Sequence, residues 1–249
     1  MQNVFVVIGK SVLALLSVAG TALLVFTGWF VWHSEYDLGL PDESKLAALS
    51  STERVCSAGG QRLYTPLAEI PPLVRKAVLA YEDPDFYERP HVNPLAAVVL
   101  AAHANRRPWS YISVSVTYCL MRLSSECCRG LDRHLGNLIL MGRIERVLSR
   151  DRILEIYLNE RYFGRDAYGV SAAAEAYFGR PLGELGIEET AFIVSLPRHP
   201  YRHHDAGPRD VVLDRMLKAG LINEAQALSA KSQPLYIKPL SRPGNSDSL

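Results

Sequence analysis

Ala77-Val78-Leu79-Ala80-Tyr81-Glu82-Asp83-Pro84-Asp85-Phe86-Tyr87 runs an apolar segment straight into a pair of acids. Leu73, Ala77, Val78 and Tyr81 recur at helical spacing, and the prolines of Pro66-Leu67-Ala68-Glu69-Ile70-Pro71-Pro72 suit a first turn. A helix is therefore predicted to open there and reach Glu82. Taken alone, Glu82 would be a surface residue at a helix end and Asp83 a turn residue ahead of Pro84. An apolar helix behind it would instead strip water from Glu82, which raises a carboxylate pKa and strengthens it as a base. Phe86 and Tyr87 read as packing residues.

Working outward, residues 33–55 read as a polar linker, followed by a short extended piece around Arg54–Tyr64 with a turn at Gly59-Gly60. Asn93-Pro94 begins a helix that stays apolar through Ala104 and stops at Asn105-Arg106-Arg107-Pro108. Leu138, Met141, Ile144 and Leu148 form one stripe, with Arg143, Arg146 and Arg150 turned elsewhere. Ser149 is an N-cap for the next helix, with Asp151 in its first turn and Ile153, Leu154, Tyr157 and Leu158 on its buried face. Further helices are predicted at Val170–Tyr177, Ile187–Leu196, Arg209–Ala219 and Asn223–Ser229, with Gly220 as a C-terminal cap between the last two. The tail from Pro239 is loop-like. The fold class is all-α, mainly helical, with at most a small sheet.

A chain of 249 residues fits one compact core, and a net charge of +1 gives no field that favours nucleic acid. Ser11 to Trp32 carries no charge at all. As a helix it would be about 33 Å long, enough to cross a bilayer core of roughly 30 Å. Trp29 and Trp32 suit an interfacial belt, and no small-x-small cleavage site follows, so an uncleaved transmembrane anchor is expected. Lys10 precedes the span while Glu35, Asp37, Asp42 and Glu43 follow it. The N-terminus is then cytoplasmic and the main domain periplasmic or otherwise extracytoplasmic. Cys56, Cys119, Cys127 and Cys128 match no zinc spacing. One disulfide, for instance from Cys56 to one of the adjacent pair, and inert buried thiols are both open.

The motifs Glu82-Asp83 with Phe86-Tyr87, Tyr157-Leu158-Asn159, Tyr162-Phe163-Gly164, Tyr168-Gly169-Val170, Tyr177-Phe178-Gly179, Glu189-Thr190-Ala191 and Leu196-Pro197-Arg198-His199-Pro200 stand in an ordered series. In order and spacing, this series resembles the peptidoglycan glycosyltransferases, glycosyltransferase family 51, in the monofunctional biosynthetic form. The resemblance covers roughly residues 64–236. It implies a lysozyme-like domain over 64–236, while the apolar run and composition set an anchor over 1–33, a linker with a short extended segment over 34–63 and a flexible tail over 237–249. Three positions depart from the family pattern. Arg89 stands where its first motif, Glu-Asp-x-x-Phe-x-x-His, ends in His. Ile112-Ser113-Val114-Ser115-Val116-Thr117-Tyr118-Cys119 replaces a polar Gly-Gly-Ser-Thr-Ile-Thr-Gln-Gln loop, and Ile112 cannot readily follow backbone paths open to glycine. Arg133-His134-Leu135-Gly136-Asn137 falls on Arg-Lys-x-x-Glu, so Asn137 is a degenerate second acidic position.

The resemblance implies attack of an acceptor sugar hydroxyl on the anomeric carbon of a growing chain, with lipid pyrophosphate leaving. Such a reaction needs a base for the proton and cations for the departing charge. Glu82 matches the family's catalytic base. Asp83, Thr117, Arg122, Arg129 and Arg133 match or adjoin its substrate-binding positions, the arginines serving the pyrophosphate. A solvated helix face is the alternative reading of those arginines. His199, His203 and His204 read as a loop cluster, not a metal site. No cofactor is required, although Mg or Mn could accompany the pyrophosphate. The implied partners are lipid II, the growing glycan chain, the bacterial inner membrane and other cell-wall synthesis proteins. No nucleic acid is expected. Two further readings stay open, a pseudoenzyme that binds lipid II or a cell-wall partner and a lysozyme-like hydrolase. The hydrolase has the least need of an anchor or pyrophosphate-binding cations.

Overall fold

Proline chemistry sets both ends of the helix that carries Glu82. The computed structural model of the chain describes residues 17–29, 32–33, 39–49, 55, 59–89, 109–121, 131–199 and 206–239. The helix spans Pro72–Glu82, with proline in its first turn, where a missing N–H costs nothing. Residues 67–70 form a turn ahead of it, so the helix opens at Pro72 and not at the predicted Pro66. It ends because Asp83 precedes Pro84, and a residue before proline is driven out of the helical region. Asp83 accordingly has φ −159° and ψ 88°. Val74, Ala77 and Val78 bury one face and leave Glu82 in the last turn.

We number the elements α1 (Glu43–Ala47), β1 (Gln61–Arg62), α2 (Pro72–Glu82), α3 (Tyr111–Met121), α4 (Leu131–Val147), α5 (Arg150–Glu160), β2 (Ala167–Tyr168), α6 (Val170–Phe178), α7 (Ile187–Ser195), α8 (Ala206–Lys218) and α9 (Glu224–Ser232). The described part is mainly helical. β1 and β2 form a two-residue parallel pair, Gln61 opposite Ala167 and Arg62 opposite Tyr168. α8 packs on α7 and α2, while α3 packs on α4 and α5. Tyr157, Tyr177, Phe86, Phe163 and Phe192 are the largest fully buried side chains of the core they share. Phe86 thus packs as expected, whereas Tyr87 is half exposed and donates to Asp151 Oδ1 at 2.7 Å.

Several local expectations hold. Ser149 accepts from the Arg152 N–H and caps α5, with Asp151 in the first turn. Gly220 adopts φ 68° after α8, and its N–H reaches the Leu217 carbonyl. Others are corrected. Arg143 is buried within α4 and donates to the Pro41 carbonyl at 3.1 Å, while Arg150 pairs with Glu145 at 2.8 Å, both side chains largely covered. Part of the stretch read as a polar linker is packed, since Leu40, Leu46 and Val55 lie in the core. The 112–119 segment belongs to a helix, capped where Ser110 Oγ accepts from the Ile112 N–H at 3.1 Å. Ile112 needs no glycine-like backbone there and is fully buried.

Residues 17–29 are helical, and Val18, Leu23, Leu24 and Val25 on them are exposed. Among the described residues no helix is long and apolar enough to cross a membrane. The rest of the expected Ser11–Trp32 anchor, apart from Trp32, lies outside the described residues, as do the 93–104 helix and the tail beyond residue 239. Cys119 is disulfide-bonded, whereas Cys56, Cys127 and Cys128 lie outside the described residues.

The α5–α6 corner has one stringent position. Gly169 has φ 89°, and a Cβ there would sit 2.6 Å from the Asn159 carbonyl oxygen, a backbone atom that cannot swing aside. Gly169→Ala is expected to destabilise the fold by about 2 kcal/mol or more, read as a lower urea midpoint. A midpoint equal to that of wild type would show that the two segments do not approach so closely.

Candidate active site

A helix C-terminus is an unfavourable place for a carboxylate, because the unpaired carbonyls there carry partial negative charge. Glu82 occupies that place, and its side chain is only 1% exposed. Two residues compensate. Arg198 Nη2 lies 2.7 Å from Oε2 and Nε donates to the same oxygen at 2.8 Å. Tyr157 Oη donates to Oε1 at 3.3 Å. Burial still dominates and pushes the Glu82 carboxyl above the usual carboxylate range, against the opposing pull of Arg198, Tyr157 and Arg161. Burial likewise raises the Tyr157 phenol, so it stays protonated and can donate.

Arg198 follows α7 in the Leu196-Pro197-Arg198 turn. Its guanidinium lies over the Tyr81 ring at 5.1 Å and the Tyr111 ring at 4.7 Å. About one-third of its side chain remains exposed. Arg161, just past α5, donates to the Pro197 carbonyl at 3.1 Å and approaches Tyr111 Oη at 3.4 Å. Its Nε is buried with no hydrogen-bond partner among the described residues. The ends of α2, α5 and α7 and the start of α3 therefore converge on one carboxylate.

Asp83 turns the other way. Arg89 grips it with Nε at 3.0 and 3.1 Å from the two oxygens and Nη2 at 2.8 Å. The Arg89 carbonyl accepts from Arg150 Nη2 at 3.1 Å, and Arg150 stacks over Phe86 at 5.3 Å. Arg150 also donates to Glu145, which accepts from Ser113 Oγ at 2.6 Å. This chain of contacts ties the acid pair to α3 and α4. Arg89, at the position where the resemblance expects His, thus holds the loop after Glu82.

The other predicted binding residues are more scattered. Thr117 is buried, and its hydroxyl donates to the Ser113 carbonyl one turn back at 2.9 Å. Arg133 is on the exposed side of α4. Asn137 buries its Oδ1 with no hydrogen-bond partner among the described residues. Arg122 and Arg129 lie outside the described residues. Reading the sequence missed the roles of Arg198, Tyr157, Tyr111 and Arg161. Tyr157 and Arg198 did stand inside the motif series, and that membership was their only signal. Among the described residues no group of His, Cys, Asp and Glu side chains gathers as a metal ligand set.

The raised Glu82 pKa has a stability consequence of definite sign. A carboxyl that binds its proton more tightly when folded stabilises the fold below its unfolded pKa. That contribution is lost as pH rises through the folded value. Wild type is therefore expected to lose stability relative to Glu82→Gln as pH climbs from the ordinary carboxylate range toward neutrality. Urea midpoints of the two proteins over a pH series test this. A flat difference, or one of opposite slope, would rule the burial effect out.

A family model described as Transglycosylase matches residues 50–218, more than half of the chain. Penicillin-binding protein 1A of Rickettsia felis is 33% identical over 259 residues, an alignment covering 92% of this chain and 32% of that protein. The Escherichia coli penicillin-binding protein 1A is 36% identical over 214 residues, covering 75% of this chain and 24% of the relative. The crystal structure of penicillin-binding protein 1A from Haemophilus influenzae aligns with a TM-score of 0.42 and 23% identity, over 72% of this chain and 18% of that one. This chain spans about a third and about a quarter of the length of the two sequence relatives, respectively. With the family match extending across Glu82, α3, α5 and Arg198, the chain belongs to the transglycosylase family, the peptidoglycan glycosyltransferases.

Proposed function

We propose that this chain is a membrane-anchored peptidoglycan glycosyltransferase that polymerises lipid II and releases undecaprenyl pyrophosphate. The observation that carries the reading is Glu82, a buried carboxylate with a raised pKa inside the matched region. The acceptor hydroxyl oxygen bonds to the anomeric carbon of the growing chain as that carbon's bond to pyrophosphate breaks. Glu82 takes the hydroxyl proton, and the pyrophosphate leaves with the bonding electrons. Arg133, with Arg122 and Arg129, supplies positive charge to the leaving group. Asp83, gripped by Arg89, orients the loop beyond the base. The displacement requires no metal ion, and Mg or Mn bound at the pyrophosphate would add positive charge there.

The exposed apolar side chains of residues 17–29 support an anchor that places the domain on the outer side of the inner membrane. Lipid II and the glycan strand are then met at that surface, with other cell-wall synthesis proteins as neighbours. A second reading, a pseudoenzyme that binds lipid II without joining it, is favoured by one observation. Asn137 is neutral where the family keeps a second acid, and it can carry neither that charge nor that proton.

Purified protein incubated with fluorescent lipid-linked disaccharide is expected to yield glycan polymer on a gel. Glu82→Gln should lower the rate by about 10²–10⁴ while precursor binding persists. Arg133→Ala should weaken binding and rate together, since pyrophosphate is charged in both ground and transition states. Binding without polymer in the wild type would select the pseudoenzyme. Absence of both would overturn the two readings.

A further inference from the structure

Arg198 is the residue whose geometry outruns its motif. It reaches Glu82 across 116 positions of sequence and presents two donors to a single oxygen. A side chain with several rotatable bonds would lose that geometry readily unless something held it. Tyr81, from the last turn of α2, and Tyr111, from the first turn of α3, do so by lying against the guanidinium. The same Tyr111 hydroxyl receives Arg161, which is anchored on the carbonyl of Pro197, the residue before Arg198. The clamp is thus built from α2, α3 and the segment following α5.

We propose that Arg198 is a positioning residue for Glu82: its guanidinium, clamped between the Tyr81 and Tyr111 rings, orients the carboxylate and supplies its counter-charge. The groups facing Glu82 are Arg198, Tyr157, Arg161 and Tyr81, with Tyr111 against the Arg198 guanidinium, while neighbouring Asp83 is turned onto Arg89. Of these, Arg198 alone is a cation that is both hydrogen-bonded to the carboxylate and within ion-pair distance of it among the described residues. Its charge opposes the effect of burial on Glu82, and its own pKa is raised in return by the carboxylate against the effect of burial. Removing it leaves a buried acid with only the phenol of Tyr157 and the more distant Arg161. Such an acid holds its proton and cannot accept another.

This proposal rests on the glycosyltransferase reading for its kinetic arm only. The full chain in detergent, carrying ¹³C-labelled glutamate carboxyls, is titrated as wild type, Arg198→Ala and Arg198→Lys. The Glu82 signal is identified as the one lost in Glu82→Gln. The Glu82 midpoint is expected to move to higher pH in Arg198→Ala and to return most of the way in Arg198→Lys, which restores the charge. In the polymerisation assay kcat is expected to fall roughly tenfold to a hundredfold for Arg198→Ala near neutral pH, with KM changing little. The acidic limb of the pH profile should move upward with the carboxyl titration. An unmoved midpoint in Arg198→Ala would overturn the proposal, as would a loss confined to KM. If the wild type makes no polymer, the enzymatic reading falls while the titration still decides the role of Arg198.

Discussion

A carboxylate buried at the C-terminal end of a helix is the constraint around which this domain is arranged. Burial and the helix terminus both oppose its charge, and donors brought in by tertiary structure, a cation first among them, offset them in part. Glu82 meets that cation in Arg198, one turn past α7, and meets a neutral donor in Tyr157 of α5. Placing both requires α2, α5 and α7 to end at one point. The close approach of Gly169 to Asn159 and the burial of Phe192 and Tyr177 fix the helices that make this possible. A local arrangement that disfavours charge is a recurring feature of sites built for proton transfer.

The segment preceding the second half of the domain departs in composition from the family pattern. Where that pattern has glycines and amides, this chain has Ile112, Val114, Val116 and Tyr118, and these residues lie in α3. Ile112, Val116 and Leu120 are buried, and α3 packs on α4 and α5. Tyr111 at its start then serves as one wall of the Arg198 clamp. Ser113 joins α3 through Glu145 and Arg150 to the carbonyl of Arg89, whose side chain holds Asp83. The apolar replacement therefore gives a rigid support for the acid pair.

Much of the helical framework was legible in the sequence because caps and periodicity are local. Ser149 and Gly220 each act within a turn of their own position, and each sits as read, whereas the helix start falls at Pro72, later than read. The partners of Glu82 were not legible, since helical spacing tells which face is buried but not what lies against it. Arg198 sits 116 residues away in a turn, and nothing near it in sequence announces a carboxylate. The partner of Arg143 was illegible for the same reason. A charged residue on a helix is usually solvated, but here the Pro41 carbonyl, from a stretch read as linker, folds back to meet it. Glu82 and Asp83 were singled out because they open the motif series, and Arg89 only as a departure whose grip on Asp83 required the structure.

The most direct test of the Glu82–Arg198 arrangement is a double-mutant cycle over Glu82→Gln, Arg198→Gln and the pair, measured by urea denaturation at neutral pH. Arg198→Gln should be costly with Glu82 present, because the buried acid must then take up a proton or carry its charge without that partner, and much less costly once position 82 is Gln. The expected coupling is on the order of 1–3 kcal/mol. Losses that simply add would contradict the view that Glu82 depends on Arg198 for its place in the fold.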